Sequence, residues 1–195
     1  MKPLQSIAMG LLIVVLSARF GGYDALADPV GWLLVVIGVR ALPGGVPHRV
    51  PLGGLAVLAG AVSAVVWFPA VTEALYDADA SLGWAANLPQ LAFSVLLCHA
   101  LAAAADVATD ARPARRLRLL RTALVVVGLL PVLVFGGGLD SFETTSYLAA
   151  GLVAVALVWL LFRHASAPWA LPDDPDRAGR TTTGAAPPGG GTAPG

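Results

Sequence analysis

Long apolar runs separated by short polar segments dominate the chain. Polar positions do not recur with the period of two that marks a half-buried strand. A hydrocarbon core about 30 Å thick needs about 20 mostly apolar residues per helix. Six stretches reach or approach that length: residues 4–20, 27–43, 52–75, 84–105, 118–137 and 146–163. They predict an all-α, polytopic membrane helix bundle with six transmembrane helices. Backbone polar groups in lipid must pair within their own segment, so such runs read as helices. The second stretch is the shortest. Asp28-Pro29 reads as its start, and the apolar helix from there to Leu42 is only about 21 Å long. It crosses a bilayer only with Leu26 and Ala27 included, with local thinning, or with a snorkelling Arg40. Residues 1–167 form the transmembrane domain on this reading. From Pro168 onward Pro, Gly and Thr take over, which predicts a disordered cytoplasmic tail over 168–195.

Composition sharpens the class. The chain has 195 residues, 57% hydrophobic and 12% charged, with 12 Lys and Arg against 12 Asp and Glu. An average soluble domain carries about 25% charged residues, so an ordinary soluble domain is excluded. Zero net charge argues against a nucleic-acid partner, and a single cysteine excludes a disulfide scaffold.

Sorted by loop, the balance splits into two unlike surfaces. With the N-terminus inside, eleven basic residues fall on the cytoplasmic side and only Arg19 falls outside. The outer loops hold Asp24, Asp28, Glu73, Asp77, Asp79, Asp140 and Glu143, giving net −6 outside and +6 inside. This obeys the positive-inside rule and places both ends in the cytoplasm. Trp32, Trp67 and Trp84 fall near the outer interface, and Trp159 and Trp169 near the inner one, as an aromatic belt predicts. A cleaved signal peptide ending at Ala25-Leu26-Ala27 competes for the first stretch, but Arg19 and Asp24 precede that site and argue against it.

Polar groups inside lipid are costly and mark function or packing. In the fourth stretch Asn87, Gln90, Ser94 and Cys98 share a stripe about 80° wide. Asn87, Gln90 and Ser94, together with His99, form the candidate polar intramembrane path. The competing reading gives the stripe interhelical hydrogen bonds that hold the bundle. His99 lies off the stripe and shares a face with Asp106, and it is expected to donate to a neighbouring carbonyl or to Asp106. Asp24, Asp28, Asp77, Asp79, Asp140 and Glu143 form a candidate outer acidic cluster, without a calcium-loop pattern. Arg19 is expected to pair with Asp24 or Asp28. The inner segment RPARRLRLLR places Arg112, Arg115, Arg116, Arg118 and Arg121 where anionic lipid headgroups attract them. No phosphate-binding glycine loop, zinc motif or nucleophile elbow is present, and Cys98 stands alone. No catalytic residue, cofactor or metal is expected.

Ala56, Gly60 and Ala64, with Gly53 and Ser63 nearby, and Ala150 with Ala154, predict close helix packing in the third and sixth stretches. Pro69, Pro89 and Pro131 are expected to bend their helices. A weak repeat links the loops. Tyr23-Asp24-Ala25 leads to Gly31-Trp32, and Tyr76-Asp77-Ala78 leads to Gly83-Trp84. Phe20-Gly21-Gly22 is echoed by Phe135-Gly136-Gly137, which suggests three in-out-in hairpins.

The segment FGGYDALADPVGWLLVVIGVRAL resembles the N-terminal hairpin of small multi-pass membrane proteins of bacteria with GC-rich genomes, of the actinobacterial type. The single Lys among eleven Arg fits that origin. The resemblance covers residues 4–42 and implies a bacterial plasma-membrane location, with no catalytic residue carried over. The sequence therefore predicts a non-enzymatic structural or partner-binding membrane component, in contact with lipid and with a second copy or another membrane protein. The alternative is a small-molecule transporter or channel with its path along the fourth helix.

Overall fold

The computed structural model describes residues 1–16, 19–20, 23–24, 28–78, 80–137 and 143–171. Apart from one minimal β pair the described chain is helical. Seven helices follow in order: α1 Pro3–Val15, α2 Asp28–Arg40, α3 Arg49–Val66, α4 Pro69–Ala78, α5 Ala80–Val107, α6 Ala111–Gly137 and α7 Glu143–His164. Arg19–Phe20 and Tyr23–Asp24 pair antiparallel between α1 and α2, with Arg19 opposite Asp24. A 3-10 turn at Pro168–Ala170 closes the described chain.

Several element boundaries differ from the sequence expectation, each for a physical reason. The stretch 52–75 is not one helix. Pro69 has no N–H to donate and disfavours helix at the residue before it, so the chain breaks at Trp67-Phe68 and α4 starts afresh. The break is sealed by the Thr72 hydroxyl, which donates to the Val66 carbonyl at 2.6 Å. Pro89 and Pro131, by contrast, lie inside the uninterrupted helices α5 and α6. The arginine-rich segment, which the expected helices leave largely between 105 and 118, is helical. It forms the first turns of α6, which starts at Ala111 rather than 118. The expected helix 4–20 stops at Val15, and Arg19–Phe20 is extended. The Tyr-Asp repeat has no common structure, since Tyr23-Asp24 is a strand and Tyr76-Asp77 is helical. Ala170 is fully buried, so the folded part runs past 168 to Leu171, and residues 172–195 lie outside the described set.

The helices close a ring in the order α1, α2, α3, α5, α6, α7 and back to α1, with α4 packed against α3 and α5. Neighbours run antiparallel. Lys2 at the start of α1 donates to Ser166 beyond the end of α7 (2.6 Å), and Arg49 at the start of α3 donates to the Arg40 carbonyl at the end of α2 (2.8 Å). The Arg118–Asp106 ion pair joins the start of α6 to the end of α5. This alternation puts Lys2, Arg40, Arg49, the α6 arginines and Arg163 at one end of the ring, while Arg19 sits in the β pair at the other. Asp28 and Asp77 lie at that other end as well.

The core is confined to the basic end. Leu4, Ile7 and Leu11 of α1 are buried with Val35 and Val39 of α2, and Leu52 and Ala56 of α3. Phe93, Leu97 and Leu101 of α5, Leu117 of α6 and Leu161 of α7 complete it. Trp32 belongs to this core and not to an interfacial belt. It is 2% exposed and packs edge-on against Phe93, with ring centroids 5.5 Å apart. Among the described residues, α5 is buried only from Phe93 onward, α7 only from Leu157 onward, and α6 only up to Leu124. The bundle is thus packed at the basic end and loosely filled at the acidic end.

Outward faces are apolar. Leu148, Leu152, Val155 and Trp159 of α7 follow a helical spacing and are all exposed, as are Leu33 and Ile37 of α2 and Val125 and Leu129 of α6. By length and composition two helices, Arg49–Val66 and Ser81–Val107, suffice to cross a membrane. Pro3–Val15 and the apolar part of α7 are shorter.

Candidate functional site

Where the packing stops, α1, α5, α6 and α7 diverge around a cavity of about 340 Å³. Its walls are mostly apolar: Leu11 and Val15 from α1, Leu124 and Val127 from α6, Val153 and Leu157 from α7. Polar atoms come chiefly from α5, where Asn87, Gln90 and Ser94 lie along one wall. Small residues make the room. Ala150 and Ala154 line the cavity from α7, as Gly128 does from α6. A second cavity of about 420 Å³ lies between α2, α3, α4 and α5. Asp28, Ser63, Thr72 and Glu73 line it, and Asn87 and Gln90 border it as well as the first. The two carboxamides therefore stand on the partition between two spaces. Both volumes fall within the size range of small-molecule sites.

The hydrogen bonds of the stripe differ from the interhelical set expected. Asn87 Nδ2 donates to the Gly83 carbonyl at 2.9 Å, and Ser94 Oγ donates to the Gln90 carbonyl at 2.9 Å. Both bonds run back four residues within α5, a competing pattern open to short polar side chains on a helix. The Gln90 carboxamide makes no hydrogen bond among the described residues, so its donors and acceptor are available to a guest. An interhelical bond at this level comes from Trp84, whose Nε1 donates to the Gly128 carbonyl at 3.3 Å. Cys98 is fully buried below the cavity floor.

His99 is not on this path. It is exposed on the opposite side of α5 and lines neither cavity. Asp106, one of its expected partners, is taken by Arg118 at 2.7 and 3.3 Å, and His99 Nδ1 instead meets Arg121 Nη1 at 2.9 Å. Of the outer acids, Asp28 and Glu73 reach the second cavity, and Asp77 is exposed on α4. Asp79 and Asp140 lie outside the described residues, as do the side chains of Asp24, Glu143 and Arg19. Among the described residues no three His, Cys, Asp or Glu side chains converge as metal ligands would. On α6, Arg112, Arg115, Arg116 and Arg118 are exposed and Arg121 is half-buried.

Packing glycines that the sequence reading did not single out set the geometry. A methyl on Gly38 would lie 2.6 Å from Ile7 Cγ1 and 2.8 Å from the Pro3 carbonyl oxygen. Gly31 and Gly38 are seven residues apart, so they share one face of α2, and that spacing was the available signal. The expected row on α3 holds only in part. Ala56 is buried and a methyl on Gly60 would touch Trp32, but Gly53 faces open space.

Comparison with family models, with curated proteins and with solved structures returns no match.

Proposed function

We propose that this chain is a non-enzymatic, multi-pass protein of the bacterial plasma membrane with both ends cytoplasmic. In this reading the outer half of the bundle holds a small, largely apolar molecule against Asn87, Gln90 and Ser94. The carrying observation is the contrast along the ring: a solid core at the basic end, and at the other a cavity whose polar atoms come chiefly from α5. Carriers are built this way, with a site near mid-depth and one end shut.

Support for the membrane comes from the exposed apolar stripes, since contiguous apolar surface on this scale is unfavourable in water. Trp159 extends one stripe beneath Arg163, whose guanidinium carbon lies 5.1 Å from the ring centroid, a pairing suited to an interface. Six crossings require α1 and α2 to act as a short hairpin. Thirteen helical residues rise about 20 Å, and each two-residue β arm adds about 7 Å. Modest thinning closes the remaining gap. The arginines at the start of α6 then face anionic headgroups on the inner leaflet.

The test uses 1-aminoanthracene, a small apolar amine with environment-sensitive fluorescence, on protein reconstituted in lipid nanodiscs. Saturable binding that Ala150→Leu and Ala154→Leu together abolish supports the site. Equal signal from the filled variant, or no saturable signal at all, overturns it.

A second reading, association with another copy or another membrane protein, is favoured by α3. Leu52, Ala56 and Ala59 are its buried residues, and Gly54, Val57, Leu58 and Ala61 are exposed. That leaves a face of small and apolar residues for a partner helix.

A further inference from the structure

Arg121 carries a permanent charge without a carboxylate partner among the described residues. The ion pair nearby joins Arg118 to Asp106. Arg121 lies ten residues into α6, about 15 Å from that helix's first residue along its axis. Its side chain reaches His99, which stands on the outward face of α5 about 12 Å from the helix end. Arginine can only donate, so the 2.9 Å contact makes His99 Nδ1 the acceptor and leaves the proton on Nε2. A third group arrives from α3. His48, in the left-handed conformation with φ 60°, precedes Arg49, and its ring lies over His99 with centroids 5.5 Å apart. Three elements thus bring one half-buried guanidinium and two exposed imidazoles to one notch between α3, α5 and α6.

The neighbouring charges leave this notch unneutralised. Arg49 is held on the Arg40 carbonyl, Arg118 on Asp106, and Thr122 Oγ1 donates to the Arg118 carbonyl at 3.1 Å. Above the notch α6 turns apolar on the same side, with Val125 and Leu129 exposed one and two turns beyond Arg121. A half-buried cation set below an exposed apolar strip suits an anion with hydrocarbon attached, and the phosphate of a membrane lipid is such an anion. Basic pockets between helices on the cytoplasmic side bind anionic lipid heads in this way.

We propose that His48, His99 and Arg121 form a discrete site for the phosphate of an anionic membrane lipid. Arg121 supplies the charge and the remaining guanidinium donors, His99 supplies Nε2–H, and His48 closes the notch. The acyl chain lies along Val125 and Leu129. This rests on the membrane reading above and adds to it a specific lipid contact, separate from the general attraction of the exposed arginines.

The experiment is native mass spectrometry of the detergent-released full chain equilibrated with phosphatidylglycerol, with phosphatidylcholine as the comparison. The wild-type chain is expected to retain one phosphatidylglycerol after mild activation. Arg121→Gln, and separately the double variant His48→Ala with His99→Ala, reduce that retention about tenfold, the scale of one lost charge-assisted hydrogen bond. Arg163→Gln leaves it unchanged. Inorganic phosphate at millimolar concentration does not displace the lipid. Equal retention in all variants, equal losses from every arginine, or displacement by inorganic phosphate each overturns the lipid site. Alkaline extraction of cell membranes separates the two levels. A chain released into the aqueous phase defeats the membrane reading, whereas a chain kept in the membrane without a selective adduct defeats only this site.

Discussion

Gly31 of α2 faces Gly10 of α1 so closely that a methyl on Gly31 would lie 2.7 Å from the Gly10 carbonyl oxygen. The reverse substitution would drive a methyl onto the Gly31 carbonyl and to within 2.8 Å of Val35 Cγ2. Backbone oxygens in two packed helices cannot step aside, so either substitution must separate α1 from α2. Gly10→Ala and Gly31→Ala are each expected to destabilise the bundle by about 1–3 kcal/mol, the usual scale of overpacking. At Gly128 the added carbon would meet the δ carbons of Leu91, which can rotate away, so Gly128→Ala costs less. Gly54 has nothing within 4 Å, so Gly54→Ala is neutral or stabilising through helix propensity. Thermal unfolding in one detergent ranks the four variants.

Thr109, in the turn that follows α5, lies in the left-handed region at φ 59°, where a β-branched residue is strained. The turn exists because the Asp110 N–H bonds the Ala105 carbonyl and the Thr109 N–H bonds the Asp106 carbonyl, both at 2.9 Å. Glycine is the residue such helix ends favour. Thr109→Gly is expected to raise stability by about 1 kcal/mol. The readout is a higher unfolding midpoint, and a lower one would show that the threonine hydroxyl bond to Ala108 outweighs the strain.

The ion pair between Arg118 and Asp106 is half exposed on both sides, so its contribution to stability is small. Asp106→Asn is expected to change stability by less than about 1 kcal/mol. Chemical denaturation of the two proteins side by side checks this. A larger loss would mean that Asp106 organises the α5–α6 turn rather than decorating it.

Periodicity found the helices that run through apolar sequence, and it was blind wherever geometry depends on a partner. The stripe Asn87, Gln90, Ser94 was legible because three polar residues at helical spacing stand out in an apolar run. That the stripe borders a cavity was not legible, because the space is made by Ala150, Ala154 and Gly128 on other helices. Spacing along one helix offers His99 only Asp106 or a neighbouring carbonyl. The contact with Arg121 comes from α6, so no pattern within α5 could reveal it. Trp32 read as an interfacial ring because it follows an acidic loop, and Phe93 of α5 turns it into a core residue. Pro69 marks the α3–α4 break, but an unbroken apolar run on both sides of it looks the same as a bend within one long helix.

The most direct test of a bundle shut at its basic end and open at its acidic end is cysteine accessibility in right-side-out membranes. Cys98 is fully buried and can remain as an internal control. Asn87→Cys and Gln90→Cys are each combined with a membrane-impermeant maleimide supplied from the outer side, and Leu101→Cys and Leu117→Cys are treated alike. The expected result is rapid outer labelling at 87 and 90, and none from either side at 101 and 117. Labelling of 87 and 90 only from the cytoplasmic side, or of 101 and 117 as fast as 87, would contradict it.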